Sequence, residues 1–234
     1  SGNIVGFEAL LRWNHPDRGM LPPGLFIPLA EQTELIHSIG KWVIREACRQ
    51  NMEWQDKGYP PVVVAINLSV EQFRNRRLTS MIAEELAISR LMPEYLDIEI
   101  TESIAIHAPD YIISILKQFK ALGVSISIDD FGTEYSSLSR LKDLPIDNLK
   151  IAMEFIRGIG RSSRDDAIAG AIVNLAKSLD LKTIAEGVET EEQLAFMQEN
   201  SCDIIQGFYY YRPMPAREAE QLLQKSKALK PELK

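Results

Sequence analysis

Apolar residues fall in short, continuous runs separated by longer stretches with helical spacing. The clearest run is residues 62–66, Val-Val-Val-Ala-Ile, bounded by Pro60-Pro61 and by Asn67. An unbroken run of that length reads as a strand buried on both faces of a parallel sheet. Shorter or interrupted apolar stretches predict strands over 4–11, 95–100, 124–128, 148–151, 182–185 and 203–205. Residues 38–57 read as a long helix, with Trp42, Val43, Ala47 and Trp54 available for its apolar face and Gly58-Tyr59-Pro60-Pro61 as its stop. Further helices are expected over 71–89, 109–122 (closed by Gly123), 136–141, 164–179, 191–199 and 216–225, with a short one near 29–31 and a Pro/Gly-rich loop over 20–28. Strand and helix alternate throughout, which predicts an α/β fold with a mainly parallel sheet. The seven strands are one fewer than a closed (β/α)8 TIM barrel needs. The fold is then either an open doubly wound sheet or a barrel whose first strand lies upstream of Ser1. No linker or low-complexity segment interrupts residues 1–234, so a single domain is expected, with a loose tail over 227–234.

The polar residues at the strand ends change the picture. Residues 124–132 begin as a strand, with β-branched Val124, Ile126 and Ile128 alternating with Ser125 and Ser127, and end in Asp129-Asp130 before Phe131-Gly132. Adjacent carboxylates repel, and a divalent cation reverses that cost by taking both as hard oxygen ligands. Taken alone, the pair could equally cap the next helix or face solvent. However, Asn67, Glu99, Lys150, Glu186 and Gln206 also lie at or near the ends of other predicted strands, and Glu8 lies late in the first. In a parallel barrel those ends converge on one face, where catalytic groups sit. Packed there without metal, the five acids would repel by several kcal/mol in total. Two divalent cations bridged by a carboxylate would resolve this, an arrangement suited to hydrolysing a phosphoester. Lys150, set between apolar Leu149 and Ile151, could orient the attacking water or offset developing charge. Arg12 could hold a phosphate, or could simply be a surface arginine.

Composition narrows the partners. A net charge of −7 and a pI near 5.1 argue against a nucleic-acid duplex or an anionic membrane surface. Cys48 and Cys202 sit in no zinc-like pattern, so a reducing compartment, the cytoplasm, is expected. There is no apolar run near 18 residues and no signal peptide, although a membrane anchor could lie elsewhere in a larger protein.

The ordered motifs resemble the EAL-domain family of cyclic di-GMP phosphodiesterases. Glu8-Ala9-Leu10 matches the triplet for which the family is named, within Gly6-Phe7-Glu8-Ala9-Leu10-Leu11-Arg12-Trp13. Phe26-Ile27-Pro28-Leu29-Ala30-Glu31, Asn67-Leu68-Ser69, Glu99-Ile100-Thr101-Glu102, Asp129-Asp130-Phe131-Gly132, Glu186-Gly187-Val188-Glu189 and Gln206-Gly207 follow in order across essentially the whole chain. The resemblance implies a modified TIM barrel with one antiparallel strand, whose usual first strand lies before this chain begins. It implies that Glu8, Asn67, Glu99 and Asp129 hold one metal, and that Asp129, Asp130 and Glu186 hold or flank a second. Mg²⁺ or Mn²⁺ would serve and Ca²⁺ would inhibit. Glu8 would be catalytic through its metal, and Lys150 and Glu186 would position or deprotonate water. Leu10, Arg12, Asn67, Asp129, Lys150 and Gln206 would meet the substrate, and Glu102 and Glu189 would stabilise the loop after Asp130. The implied reaction opens cyclic di-GMP to linear pGpG. The resemblance also implies a homodimer and fusion to sensor or GGDEF-type domains.

Three positions depart from the family pattern. Glu134 replaces a glycine in the loop after Asp130, Ala152 replaces the aspartate of a Lys-Ile-Asp triplet, and Glu34 replaces a glycine in Thr33-Glu34-Leu35. If position 134 needs φ > 0, Glu134 costs roughly 1 kcal/mol. The alternative to an active enzyme is therefore a weakly active module that binds cyclic di-GMP or a protein partner.

Overall fold

The computed structural model describes residues 2–106, 109–133 and 138–228. Strand β1 (Gly6–Glu8) is followed by a hairpin of β2 (Trp13–His15) and β3 (Gly19–Leu21), then by β4 (Val63–Asn67), β5 (Leu96–Thr101), β6 (Ser125–Phe131), β7 (Asn148–Ile151), β8 (Lys182–Ala185) and β9 (Ile204–Ile205). The helices are α1 (Ile27–Gln32), α2 (Leu35–Asp56), α3 (Leu78–Ser89), α4 (Glu102–Ile106), α5 (Asp110–Leu122), α6 (Leu138–Leu141), α7 (Met153–Gly158), α8 (Ser163–Ser178), α9 (Glu191–Glu199) and α10 (Ala216–Ala228). Seven strands form one sheet in the order β1-β4-β5-β6-β7-β8-β9, and β2 and β3 form a separate antiparallel pair. The pairs β1–β4, β6–β7, β7–β8 and β8–β9 are parallel. The seven sheet strands are the seven read from the apolar runs.

The chain divides into two compact units. The first comprises residues 1–98, 122–124 and 213–234. Helix α2 buries Ile36, Gly40, Ile44, Ala47, Cys48, Asn51 and Trp54, the three- and four-residue spacing of a helix with one apolar face. Asn51 is fully buried, and its Nδ2 donates to the carbonyls of Val62 (2.9 Å) and Tyr95 (3.2 Å). Trp54 and Val62 form a core cluster with Ala219 and Leu223 of α10, joined by Ile4, Phe7, Tyr59 and Met214. The Lys57 Nζ meets Glu220 at 2.9 Å on the rim of that cluster.

The second unit comprises residues 99–121 and 125–212. Ile126, Ile128, Leu149, Ile151 and Ala185 are fully buried in β6, β7 and β8. The Asn148 Nδ2 donates to the Ser127 Oγ at 2.9 Å and helps fix the register of β6 on β7. Ser162 caps α8 by accepting from the Asp165 N–H, and Thr190 with Gln193 forms a capping box on α9.

The structure corrects several details of the sequence reading. Residues 19–21, partly assigned to a loop, form β3 against β2, with Trp13 edge-on to Phe26 at 5.7 Å. The helix expected over 71–89 is broken. A 3-10 turn, Val70–Arg74, ends at Asn75, which has extended ψ and whose Oδ1 accepts from the Arg77 N–H before α3 starts. Helices α4 and α7 were not anticipated. Helix α10 continues to Ala228, and residues 229–234 of the expected tail lie outside the described residues, as does Glu134.

Candidate active site

Asp129 and Asp130 lie near the end of β6, before Phe131. In a regular strand two neighbours face opposite sides. Here Ile128 pairs with Leu149 but Phe131 pairs with Ile151, so β6 carries one extra residue, a β-bulge. Asp130 takes φ 54°, a left-handed conformation that aspartate tolerates better than most residues. The bulge and the turned backbone let both acids serve one place. Carboxylate oxygens of Asp129, Asp130 and Glu186 all lie within 4.8 Å of one another.

Lys150 stands at the centre of this group. It projects from β7 and is fully buried. Its Nζ lies 2.7 Å from Glu99 Oε1, 2.8 Å from Glu186 Oε1 and 3.1 Å from Asp129 Oδ1. Glu99 is 2% exposed, so this ammonium is the ion pair that lets it stay charged inside the protein. Glu102 is also buried, and its Oε2 accepts from the Gly132 N–H at 2.8 Å, holding the turn after the bulge. The Asp130 N–H donates to Asp129 Oδ1 at 3.1 Å, and the Thr133 hydroxyl donates to the Asp130 carbonyl at 3.0 Å.

In the first unit, the register Glu8↔Ala65 sets Glu8 near the end of β4, and the Asn67 Nδ2 donates to Glu8 Oε1 at 2.8 Å. Leu10 is 41% exposed, and Arg12 is exposed with its Nη1 donating to the Leu11 carbonyl. In the second unit, Gln206 leaves β9 with its N–H on the Ala185 carbonyl and its own carbonyl accepting from Val188. The Glu189 side chain is exposed, and its backbone N–H donates to Gln193 Oε1. The structure thus brings Glu99, Asp129, Asp130, Lys150 and Glu186 together, and separately pairs Glu8 with Asn67.

Sequence reasoning missed the residues packed behind the acidic turns. Phe155 lies against Gly132, two residues beyond Asp130, and Met153 against Gly187, the residue after Glu186. The signal lay in those two glycines, each of which leaves room for a neighbour's side chain.

Four carboxylates against one ammonium leave the group three formal negative charges. Closely set hard oxygens with that excess fit a hard divalent cation.

Comparison with known proteins identifies the family. A family model described as the EAL domain matches residues 1–213. The chain is 49% identical over 223 residues to the bifunctional diguanylate cyclase/cyclic di-GMP phosphodiesterase MucR of Pseudomonas aeruginosa, covering 95% of this chain and 32% of MucR. It is 41% identical over 222 residues to the cyclic di-GMP phosphodiesterase NbdA of the same organism, covering 95% of this chain and 28% of NbdA. A solved structure of the PaMucR phosphodiesterase in its c-di-GMP complex matches with a TM-score of 0.89 at 49% identity, over 93% of this chain and 88% of that one. The chain belongs to the EAL domain family, the family its motifs resemble, and shares the α/β fold of EAL-domain structures. It spans less than a third of the length of these curated relatives. Among the described residues, no helix is long and apolar enough to cross a membrane.

Proposed function

We propose that this chain is a phosphodiesterase domain that hydrolyses one phosphodiester of cyclic di-GMP to linear pGpG, with two Mg²⁺ or Mn²⁺ ions. The observation that carries the reading is Lys150, a buried ammonium shared by Glu99, Asp129 and Glu186 beside the carboxylates of Asp130 and Asp129. A structural core seldom spends so many charges on one point. The relatives MucR and NbdA, named for this activity, support the choice of substrate.

In this reading Glu8, Asn67, Glu99 and Asp129 would hold one ion, and Asp129, Asp130 and Glu186 would hold or flank the other. The ions would supply an acidified water and neutralise the phosphate. Lys150 offsets the charge of its neighbouring carboxylates and offers a hydrogen bond to the attacking water. Glu186, already oriented by Lys150, takes the proton of that water. Leu10, Arg12 and Gln206 meet the dinucleotide, with the Arg12 guanidinium on a phosphate. Glu102 and Glu189 stabilise the turn beyond Asp130. The domain acts in the cytoplasm as a homodimer within a longer protein carrying sensor or GGDEF-type domains.

Incubation with cyclic di-GMP and Mn²⁺, followed by chromatography, should yield pGpG, and Ca²⁺ in place of Mn²⁺ should suppress it. Glu8→Ala and Asp129→Ala should abolish turnover while leaving the circular dichroism spectrum unchanged. A folded variant that keeps the parent rate, or a parent that makes no pGpG at saturating Mn²⁺, would contradict this assignment.

A further inference from the structure

We propose that Met153 and Phe155, in the first turn of α7, are positioning residues that act as a spacer between the two acidic turns and so set the separation of the metal ligands; this rests on the metal-dependent reading above. Helix α7 begins three residues after Lys150. Residues two apart on a helix point to nearly opposite sides. Met153 and Phe155 use that divergence to touch two different turns. Phe155 is buried against Gly132, two residues beyond Asp130. A Cβ at Gly132 would lie 2.7 Å from Phe155 Cε2, and 3.1 Å from the Ile172 Cδ1 of α8. Met153 covers Gly187, the residue after Glu186. A Cβ there would run into the Met153 Cγ and sit 3.2 Å from its sulfur. Both glycines have positive φ, 101° at Gly132 and 68° at Gly187, so neither turn can readily exchange this contact for a side chain of its own.

The backbone ties the same elements together. The Ala152 N–H reaches the Phe131 carbonyl at 3.4 Å, and the Glu186 N–H donates to the Ile151 carbonyl at 3.3 Å. The start of α7 is thus linked to the Asp129–Asp130 bulge on one side and to Glu186 on the other. Ala152 supplies no side-chain cap, so packing seats the helix, through buried Phe155 and Ile156, with Met153 reaching out over Gly187. Met153 is 39% exposed, an arrangement that serves contact with Gly187 more than core burial.

Met153 gives the cleaner test because little of the core depends on it. Mn²⁺ binding to the parent, Met153→Val, Met153→Ala and Met153→Leu would be measured by calorimetry and by the electron paramagnetic resonance of free Mn²⁺, with thermal melts in EDTA. Met153→Ala is expected to weaken Mn²⁺ binding about tenfold, the low end of the range for groups that orient metal ligands, with an unchanged melting midpoint. Met153→Val should fall between it and the parent, and Met153→Leu, of similar volume, should restore binding. A parent that binds Mn²⁺ no better than Met153→Ala overturns the spacer. So does an equal loss in Met153→Leu. A parent that binds no Mn²⁺ at all removes the metal reading itself, and the spacer with it.

Discussion

Replacing Lys150 with methionine tests the centre of the constellation. The substitution keeps most of the side-chain volume and removes the one buried cation facing three carboxylates at 2.7, 2.8 and 3.1 Å. Water cannot take its place at Glu99, whose side chain is 2% exposed, whereas Asp129 and Glu186 keep 16% and 13%. Breaking a buried ion pair from one side typically costs about 3–5 kcal/mol. Two of the three partners retain some solvent, which puts the expected loss near the low end, about 3 kcal/mol. For a chain of this length each kcal/mol moves the midpoint by about 2–4 °C, so the variant should melt about 6–12 °C below the parent. The assay is a thermal melt followed by circular dichroism in EDTA, repeated with excess Mn²⁺. The divalent ion brings positive charge to the same carboxylates, so the gap between variant and parent should narrow when it is added. Equal midpoints in EDTA would refute the claim that Lys150 compensates buried charge. A gap that Mn²⁺ leaves untouched would refute the claim that both cations serve the same acids.

Glu34 sits at φ 60° immediately before α2, where glycine costs less, so Glu34→Gly should stabilise the chain by about 1 kcal/mol and raise the midpoint by about 2–4 °C. An unchanged or lower midpoint would show that the left-handed residue carries no strain. Burial pushes the Cys48 thiol up to about 12 and raises that of Cys202. A disulfide reagent at pH 8 should therefore label neither cysteine in the folded chain and both after denaturation, and rapid native labelling of Cys48 would contradict its burial.

The legible part of this fold was the part governed by burial on two faces. Residues 62–66 are apolar without interruption, residues 148–151 place Leu149 and Ile151 fully in the core on either side of Lys150, and β4 and β7 lie within a residue of the stretches that predicted them. Short elements escaped because they complete no period. Helix α7 has six residues, and β2 and β3 have three each, largely exposed, with no alternation to read. The site was legible as a set of residue types at strand ends but not as geometry. Nothing in Asp129-Asp130 announces a bulge, because adjacent acids would read the same on an ordinary strand end. The glycine replaced at position 134 predicts strain there, and that residue lies outside the described residues. Among the described departures from the family's glycines, the left-handed backbone lies at Glu34, since a helix entry there needs it whatever residue is present.

The cluster of Trp54 and Val62 with Ala219 and Leu223 makes the first unit dependent on both ends of the chain, and Lys57 and Glu220 meet across 163 residues of sequence. During synthesis, Trp54 and Val62 emerge early, while the helix that covers them is made only after residues 125–212 of the second unit. A nascent chain must therefore carry an unfinished apolar face throughout that interval, a period of exposure in which partly folded chains are prone to associate. Helix α10 also begins beyond residue 213, where the match to the family model stops. Cutting the chain at that boundary would remove Ala219 and Leu223 and leave the same face bare after synthesis as well.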